Sequence, residues 1–123
     1  MKIHHIAITV LHLEESSKFY CDNFDFKVQK EFGRSKKGWR GQFLQSDNVN
    51  IELFEFNEIN NKNNNDDISM IGIRHIAFAV SDIEKEVARL SHLTFTPIHE
   101  GVTGKRLAFT KDPNGVQLEL YEE

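Results

Sequence analysis

An internal repeat constrains this chain of 123 residues more than any other feature of its sequence. Residues 3–10 read Ile-His-His-Ile-Ala-Ile-Thr-Val, and residues 73–80 read Ile-Arg-His-Ile-Ala-Phe-Ala-Val. Five of these eight positions agree at an offset of 70, and Glu14 and Glu84 extend the same register. Unrelated segments would seldom agree so closely, so we interpret the chain as a duplicated unit.

A second correspondence supports the duplication. Each copy ends in a strand-like run that carries a glutamate among apolar residues. The histidine-to-glutamate spacing is 47 residues in the first copy, from His5 to Glu52, and 44 residues in the second, from His75 to Glu119. The sequence therefore predicts that the same kind of pair forms twice.

Both copies predict the order strand, helix and three further strands. Leu13 and Tyr20 lie seven residues apart and predict a helix over 13–22. In the second copy Ser81 and Glu84 match a capping box, in which Ser81 caps the helix and Glu84 reaches back. The remaining strands are predicted at 26–32, 40–45 and 50–56 in the first copy and at 94–99, 105–110 and 116–121 in the second.

These elements predict an α+β fold built from two paired β-α-β-β-β modules. We expect one domain over residues 1–123, with module 1 at 1–56, a linker at 57–71 and module 2 at 72–123. The linker is rich in asparagine and has almost nothing to bury. Because a module of about 55 residues has only a marginal core, we expect the modules to pair, within one chain or between two chains.

Composition excludes several classes of protein. The net charge of −4, from 15 basic and 19 acidic residues, argues against a general nucleic-acid binder. No apolar run approaches the ~20 residues of a membrane span, and no secretory signal is recognised. The single cysteine, Cys21, suits a reducing compartment. We therefore expect a soluble cytoplasmic protein without membrane partners.

The alternation of strand residues groups four polar side chains. Both histidines of the repeat, His5 and His75, share a strand face with mostly small residues, whereas the opposite face is apolar and suits helix packing. Glu52 and Glu119 likewise oppose the apolar residues of their strands. All four are predicted to point away from the helices. By the same alternation His4 belongs on the helix-packed face, as a surface or packing residue.

Two imidazoles and two carboxylates of this kind suggest a metal site. An ionised carboxylate inside a sheet needs a partner, because burying a bare charge is costly. A divalent cation would satisfy all four groups, and this donor set suits zinc, nickel, cobalt, manganese or iron. The alternative is that the histidines are core residues and the glutamates face solvent. The recurrence in both copies favours the metal.

Motifs along the whole chain resemble the vicinal oxygen chelate superfamily, which includes glyoxalase I, bleomycin- and fosfomycin-resistance proteins and extradiol dioxygenases. The motifs are His-His-Ile-Ala-Ile-Thr-Val at 4–10, Phe-Tyr at 19–20, Arg-His-Ile-Ala-Phe-Ala-Val at 74–80 and Asp-Pro-Asn-Gly-Val-Gln-Leu-Glu-Leu at 112–120. The resemblance implies an open, U-shaped mixed barrel around a metal, in a homodimer that binds a small-molecule substrate.

The two-His, two-Glu set resembles that of glyoxalase I (lactoylglutathione lyase). It implies metal ligands at His5, Glu52, His75 and Glu119, with zinc or nickel as the cation. It also implies proton transfer in a 2-oxoaldehyde–thiol adduct or a similar vicinal-oxygen substrate, with Glu119 as the base and Glu52 as a ligand or second base.

This chain departs from the glutathione-using members at two positions that bear on which thiol it would use. Glutathione-using members carry Arg and Asn where this chain has Thr9 and Phe56. The alternatives are a fosfomycin-type thiol transferase that uses only His5, His75 and Glu119, and a non-catalytic module that sequesters a drug.

Basic residues supply candidates for substrate binding. Arg34, Lys36, Lys37 and Arg40 crowd one glycine-flanked loop, which is either a solvated hairpin tip or a clamp for an anionic substrate tail or thiol cofactor. We predict Arg40 and Arg106 as the two substrate-binding residues. Trp39 and Phe43 could line an apolar wall, although core packing is the simpler use of both.

Overall fold

A computed structural model of the protein describes residues 1–59, 69 and 71–123. The chain divides into two compact units, Met1–Lys62 and Asn63–Glu123. Most of the predicted linker, residues 60–68 and 70, lies outside the described residues. None of the helices in the described part of the chain has the length and apolar character that crossing a membrane requires.

The first unit is a four-stranded mixed sheet with one helix. The strands lie in the order β1-β4-β3-β2, with β1 parallel to β4 and the other pairs antiparallel. Its elements are β1 (His5–Thr9), α1 (Leu13–Asn23), β2 (Lys27–Arg34), a 3₁₀ turn (Ser35–Lys37), β3 (Trp39–Gln45) and β4 (Asn50–Phe56).

The second unit repeats this topology. Its strands lie in the order β5-β8-β7-β6, with β5 parallel to β8. Its elements are β5 (His75–Val80), α2 (Ile83–Arg89), β6 (His99–Glu100), β7 (Arg106–Lys111) and β8 (Gln117–Glu122). The predicted β-α-β-β-β order is confirmed in both units, as is the α+β class.

Each sheet buries one face against its helix. In the first unit α1 packs on β3 and β4, and Tyr20, Leu44 and Leu53 are fully buried there. In the second unit α2 packs on β7 and β8, with Ile83 and Leu118 buried. Each such side chain contributes about 1.5–3 kcal/mol to stability. The other face of each sheet carries the histidine and glutamate of the repeat, and in the first unit it also carries the rings of Phe32, Trp39 and Phe54.

The cap of α2 differs from the prediction. Asp82, not Ser81, is the N-cap, and its side chain accepts a hydrogen bond from the Lys85 N–H. The cap must be the last extended residue before the helix, and Asp82 has that conformation. Glu84 then falls one position short of a capping box, and its carboxylate binds Arg106 instead.

The edge strand predicted at 94–99 is also wrong in extent, because only His99–Glu100 pair as a strand. Pro97 has no N–H to give to a ladder. At Thr96 the hydroxyl, rather than a backbone carbonyl, accepts the Phe109 N–H. The segment therefore follows β7 without forming a regular strand.

The two sheets differ beside their third strands. In the first unit Phe32 on β2 lies opposite Gly41 on β3, where an added Cβ would come within 2.5 Å of the ring. In the second unit Leu107 on β7 pairs with His99, and its side chain covers Gly101 just after β6. Each large side chain thus closes the space over one glycine, from β2 in the first unit and from β7 in the second.

Candidate functional site

The register of the parallel strands aligns histidine and glutamate in the same way in both units. In the first unit Ala7 lies opposite Glu52, two residues along β1 from His5. In the second unit Ala77 lies opposite Glu119, two residues along β5 from His75. A step of two residues returns to the same face of a sheet, so each histidine and glutamate share a face.

The paired side chains approach each other closely. The distance from His5 Nε2 to Glu52 Oε2 is 3.5 Å, and that from His75 Nε2 to Glu119 Oε2 is 2.9 Å. The glutamates differ in exposure, since the Glu52 side chain is 21% exposed and that of Glu119 only 7%. A buried carboxylate of this kind requires a positively charged or hydrogen-bonding partner.

These separations fit two ligands of one metal ion. Ligands at bond lengths of about 2.1 Å lie about 3.0 Å apart at a right angle and about 3.4 Å apart at the tetrahedral angle. One nitrogen and one oxygen donor per unit also match the chemistry of zinc, nickel and similar ions. Within the described residues no three His, Cys, Asp or Glu side chains form a metal-binding cluster. Among the described residues the four predicted ligands are thus brought together as two pairs, His5 with Glu52 and His75 with Glu119.

A phenylalanine on the third strand packs against each histidine, a contact that the sequence did not predict. Phe43 lies opposite Glu52 in the register, and its ring lies 5.4 Å from that of His5 at an angle of 68°. Phe109 lies opposite Glu119, 5.5 Å from His75 at 72°. Such edge-to-face contacts hold an imidazole in a fixed plane.

A short repeated motif in the sequence could have predicted these two phenylalanines. Residues 40–43 and 106–109 both read Arg, two variable residues and Phe, at an offset of 66. This offset differs from the 70 of the first strands, so a search at one fixed offset does not find it.

His4 is exposed, as the prediction of a surface residue has it, but its ring contacts the site instead of the helix-packed face that strand alternation predicts. Its ring is 5.2 Å from the ring of His5 and 5.8 Å from that of Phe43. Its Nδ1 lies 2.9 Å from Nδ1 of His5. The strand begins only at His5, so the alternation that predicted the orientation of His4 does not extend to it.

Arg40 ties the start of α1 to the sheet. Its guanidinium donates to Glu55, with Nε–Oε1 at 2.9 Å, and to both carboxylate oxygens of Glu14. Glu55 Oε2 also accepts a hydrogen bond of 2.7 Å from the N–H of Leu13, the first residue of α1. Arg40 lowers the pKa of the Glu14 and Glu55 carboxyls below their ordinary values, because hydrogen bonds from its guanidinium favour the ionised forms.

Arg106 forms the equivalent cluster in the second unit. It donates to Glu84 and, with Nε–Oε2 at 2.7 Å, to Glu122. Glu122 in turn accepts the Ile83 N–H at 3.1 Å, and its pKa is lowered, mainly by Arg106. Both candidate substrate-binding arginines are thus engaged with two carboxylates at the start of a helix. Of the other loop cations, Lys36 and Lys37 lie in the exposed 3₁₀ turn.

A cleft of about 500 Å³ lies in the second unit. Phe109 and Lys111 line it from β7 and Gln117 lines it from β8, together with residues 92–96. Phe109 also contacts His75, so one residue is common to the cleft and to the surroundings of the histidine–glutamate pair. The lining combines phenylalanine and leucine with threonine, histidine, glutamine and lysine.

Sequence comparison identifies relatives over the whole chain. The family model described as Glyoxalase/Bleomycin resistance protein/Dioxygenase superfamily matches residues 2–120. The protein YaeR of Escherichia coli K12 is 37% identical over 126 aligned residues, which cover 99% of this chain and 96% of YaeR.

Structural comparison gives the same result. A glyoxalase family protein from Enterococcus faecalis is 30% identical, with a TM-score of 0.86 over 98% of this chain and 97% of that protein. The trypanothione-dependent glyoxalase I of Leishmania major is 26% identical, with a TM-score of 0.74 over 100% of this chain and 87% of that enzyme.

Proposed function

Because the chain belongs to the glyoxalase/bleomycin resistance protein/dioxygenase superfamily, we propose that it is a metal-dependent lyase of the glyoxalase I type. The observation that carries this proposal is the repeated histidine–glutamate pair. Each pair has its donor atoms 3.5 Å or less apart, and each histidine packs on a phenylalanine. A duplicated binding pair with one buried carboxylate is expected of an enzyme rather than of a passive carrier.

In this proposal both pairs bind the same divalent cation, with His5, Glu52, His75 and Glu119 as its ligands. Zinc and nickel suit the donor set and a reaction without redox change, and cobalt, manganese and iron are compatible with it. When bound, such a cation acts as a Lewis acid that polarises the adjacent oxygens of the substrate. Two ligands per unit explain why the duplication is needed for tight binding.

The proposed reaction is a proton transfer between neighbouring carbons. Glu119 takes the proton from the carbon next to the carbonyl group and returns it to the adjacent carbon, as a general base and then a general acid. Its side chain is almost fully buried, so a proton that it holds exchanges slowly with bulk water. Glu52 is more exposed and serves as a ligand, or as the base on the opposite side of the substrate.

We propose a 2-oxoaldehyde–thiol adduct, or a similar compound with vicinal oxygens, as the substrate. The likeness to the Leishmania enzyme, whose thiol is trypanothione, supports a thiol adduct. Thr9 and Phe56 stand where glutathione-using members carry Arg and Asn, which favours a thiol other than glutathione. The cleft that Phe109 lines, of about 500 Å³, has room for the carbon chain of such an adduct.

The test combines elemental analysis with an activity panel. Protein purified without added metal is analysed for bound ions, and methylglyoxal isomerisation is then assayed with several thiols. We expect about one ion per chain, loss of activity with a chelator and recovery with zinc or nickel. Metal with epoxide opening instead of isomerisation would indicate a thiol transferase, and drug binding without metal would indicate a sequestering module. Light scattering on the same sample tests the expected homodimer.

A further inference from the structure

The cleft of the second unit is lined in part by the sheet face that carries Glu119. In the register of β7 and β8, Phe109 lies opposite Glu119. Two residues further along, Lys111 lies opposite Gln117, and a step of two residues, about 7 Å, returns to the same face. Phe109, Lys111 and Gln117 all line the cleft. Part of the cleft wall is thus formed by the face of the proposed base, one such step away from it.

The charge of the cleft lining differs from that of the chain as a whole. The chain has 19 acidic residues and a net charge of −4. Among the described residues that line the cleft, however, none is an aspartate or a glutamate, and Lys111 brings a positive charge. Lys111 is exposed, and its flexible stem can follow an apolar wall while the ammonium group moves to a partner. An organic anion would therefore meet an opposite charge here and no like charge in the lining.

Gln117 adds a second polar group to the wall. Its side chain is half-buried, and among the described residues its amide has no hydrogen-bond partner. A side-chain amide donates through its nitrogen, so it can join an ammonium group in binding one carboxylate. Hydrogen bonds to an ionised carboxylate are stronger than those between neutral groups. Together Lys111 and Gln117 favour a carboxylate over a neutral ligand.

The equivalent positions of the first unit have different side chains. Gln45 stands where the second unit has Lys111, so this place has no charge. Asn50 takes the place of Gln117, and its amide donates to the His4 carbonyl at 3.1 Å. The fold itself therefore does not require a lysine and an unpaired amide at these positions.

We propose that the cleft is a subsite for the carboxylate of an acidic thiol, bound by Lys111 and Gln117 while the carbon chain packs on Phe109. This inference rests on the proposed function, because it makes the cleft the place of the thiol half of the 2-oxoaldehyde–thiol adduct. Gln117 is one step of about 7 Å along β8 from Glu119, so the carboxylate should lie only a few carbon atoms from the sulfur.

Binding to metal-free protein tests the subsite without the proposed reaction. The probes are 3-mercaptopropionate and its neutral amide, 3-mercaptopropionamide, which have the same carbon chain. Each is added to chelator-treated, ¹⁵N-labelled protein, and ¹H–¹⁵N spectra are recorded. We expect the acid to shift the side-chain amide signals of Gln117, with a Kd at least about 10-fold lower than that of the amide. Equal affinity for both probes, or no shift with the acid, would overturn the proposal.

Three variants assign the preference to the cleft. Lys111→Gln should remove the preference for the acid, because it deletes the charge and keeps a polar side chain. Gln117→Leu should weaken binding of the acid by about threefold or more. Lys85→Gln is the matched control, since it makes the same change in net charge on α2, outside the cleft lining, and should keep the preference. Circular dichroism checks that each variant is folded. An equal loss in Lys85→Gln and Lys111→Gln would assign the effect to net charge and overturn the subsite.

The isomerisation assay links the subsite to the proposed reaction. The methylglyoxal adduct of the acid should have a kcat/KM about 10-fold above that of the amide adduct. Lys111→Gln should abolish this difference through KM, with kcat within about twofold of the unsubstituted protein. Isomerisation with equal kcat/KM for both adducts would overturn the subsite and leave the proposed function intact. Binding of the acid in the cleft without isomerisation of any adduct would contradict the proposed function and support the cleft as an acid-binding site.

Discussion

The two units keep the same register at the histidine and glutamate but surround this pair differently. In both, glutamate lies opposite an alanine two residues from the histidine, and a phenylalanine packs on the imidazole. In the first unit the carboxylate is half-buried and the imidazole is held from outside by His4. In the second the carboxylate is buried, and its Oε2 lies 2.9 Å from Nε2 of its histidine.

This contrast suggests a division of labour between the copies. Duplication supplies two pairs with the same donor groups, and the surroundings of each pair can then suit it to a different role. A pair that meets poorly without a cation, as His5 and Glu52 do, is suited to binding one. A carboxylate sheltered from water, as Glu119 is, is suited to proton transfer. We expect substitutions at equivalent positions to have unequal effects.

The largest difference is expected between the two glutamates. Glu119→Gln should lower kcat by about 10²–10⁴-fold, because the amide cannot accept the proton, while most of the metal stays bound. Glu52→Gln should lower metal affinity more than kcat measured at saturating metal. Steady-state kinetics with metal analysis of both variants checks this. Full activity of Glu119→Gln would remove Glu119 from its role, and equal profiles would abolish the division of labour.

A difference in stability is expected between the two covered glycines. At Gly41 an added Cβ would lie 2.6 Å from the Leu53 carbonyl oxygen and 2.5 Å from the Phe32 ring, and the backbone atom cannot move aside. Gly41→Ala should therefore cost about 2–3 kcal/mol of unfolding free energy.

Gly101→Ala is the variant for comparison. Its close contact is with Leu107 Cδ2, the end of a flexible side chain, and its cost should stay below about 1.5 kcal/mol. Urea unfolding followed by circular dichroism measures both. Equal losses would mean that the contact with the Leu53 carbonyl does not set the cost at Gly41.

The smallest difference concerns the arginine clusters at the helix starts. Glu14, Glu55 and Glu122 have lowered pKa values, so their contribution to stability is present at neutral pH and is lost as the pH falls through those lowered values, below about 4.5. Melting temperature should therefore fall on acidification.

Replacing each arginine by methionine tests the cause. Arg40→Met should flatten the acid limb of the melting-temperature profile more than Arg106→Met, because the Arg40 side chain is 32% exposed and that of Arg106 is 44% exposed. Melting curves between about pH 7 and pH 3 measure this. An unchanged acid limb in Arg40→Met would show that the cluster does not cause the lowered pKa values.

The repeat made the topology and the two histidine–glutamate pairs predictable, because strand alternation and register follow directly from sequence spacing. His4 was misassigned because alternation holds only inside a strand, and β1 begins one residue later. Phe43 and Phe109 were not assigned to the site because a phenylalanine in a strand is usually a packing residue.

The partners of the arginines were not predictable for a different reason. Arg40 and Arg106 were predicted as substrate-binding residues, and in the structure each binds two carboxylates that nothing local in the sequence identifies. Glu55 is 15 residues from Arg40, and Glu122 is 16 residues from Arg106. Such contacts depend on how strands align. The edge strand predicted at 94–99 is an example, because only His99–Glu100 form a strand and the Thr96 hydroxyl accepts the Phe109 N–H in place of a backbone carbonyl.

Metal stoichiometry in three proteins tests the central proposal most directly. The unsubstituted chain should contain about one tightly bound zinc or nickel per chain, and both His5→Ala and His75→Ala should lose it, since a cation held by both pairs needs both. The contradictory result would be two ions per chain, or a full complement of metal in either variant, because each pair would then act without the other.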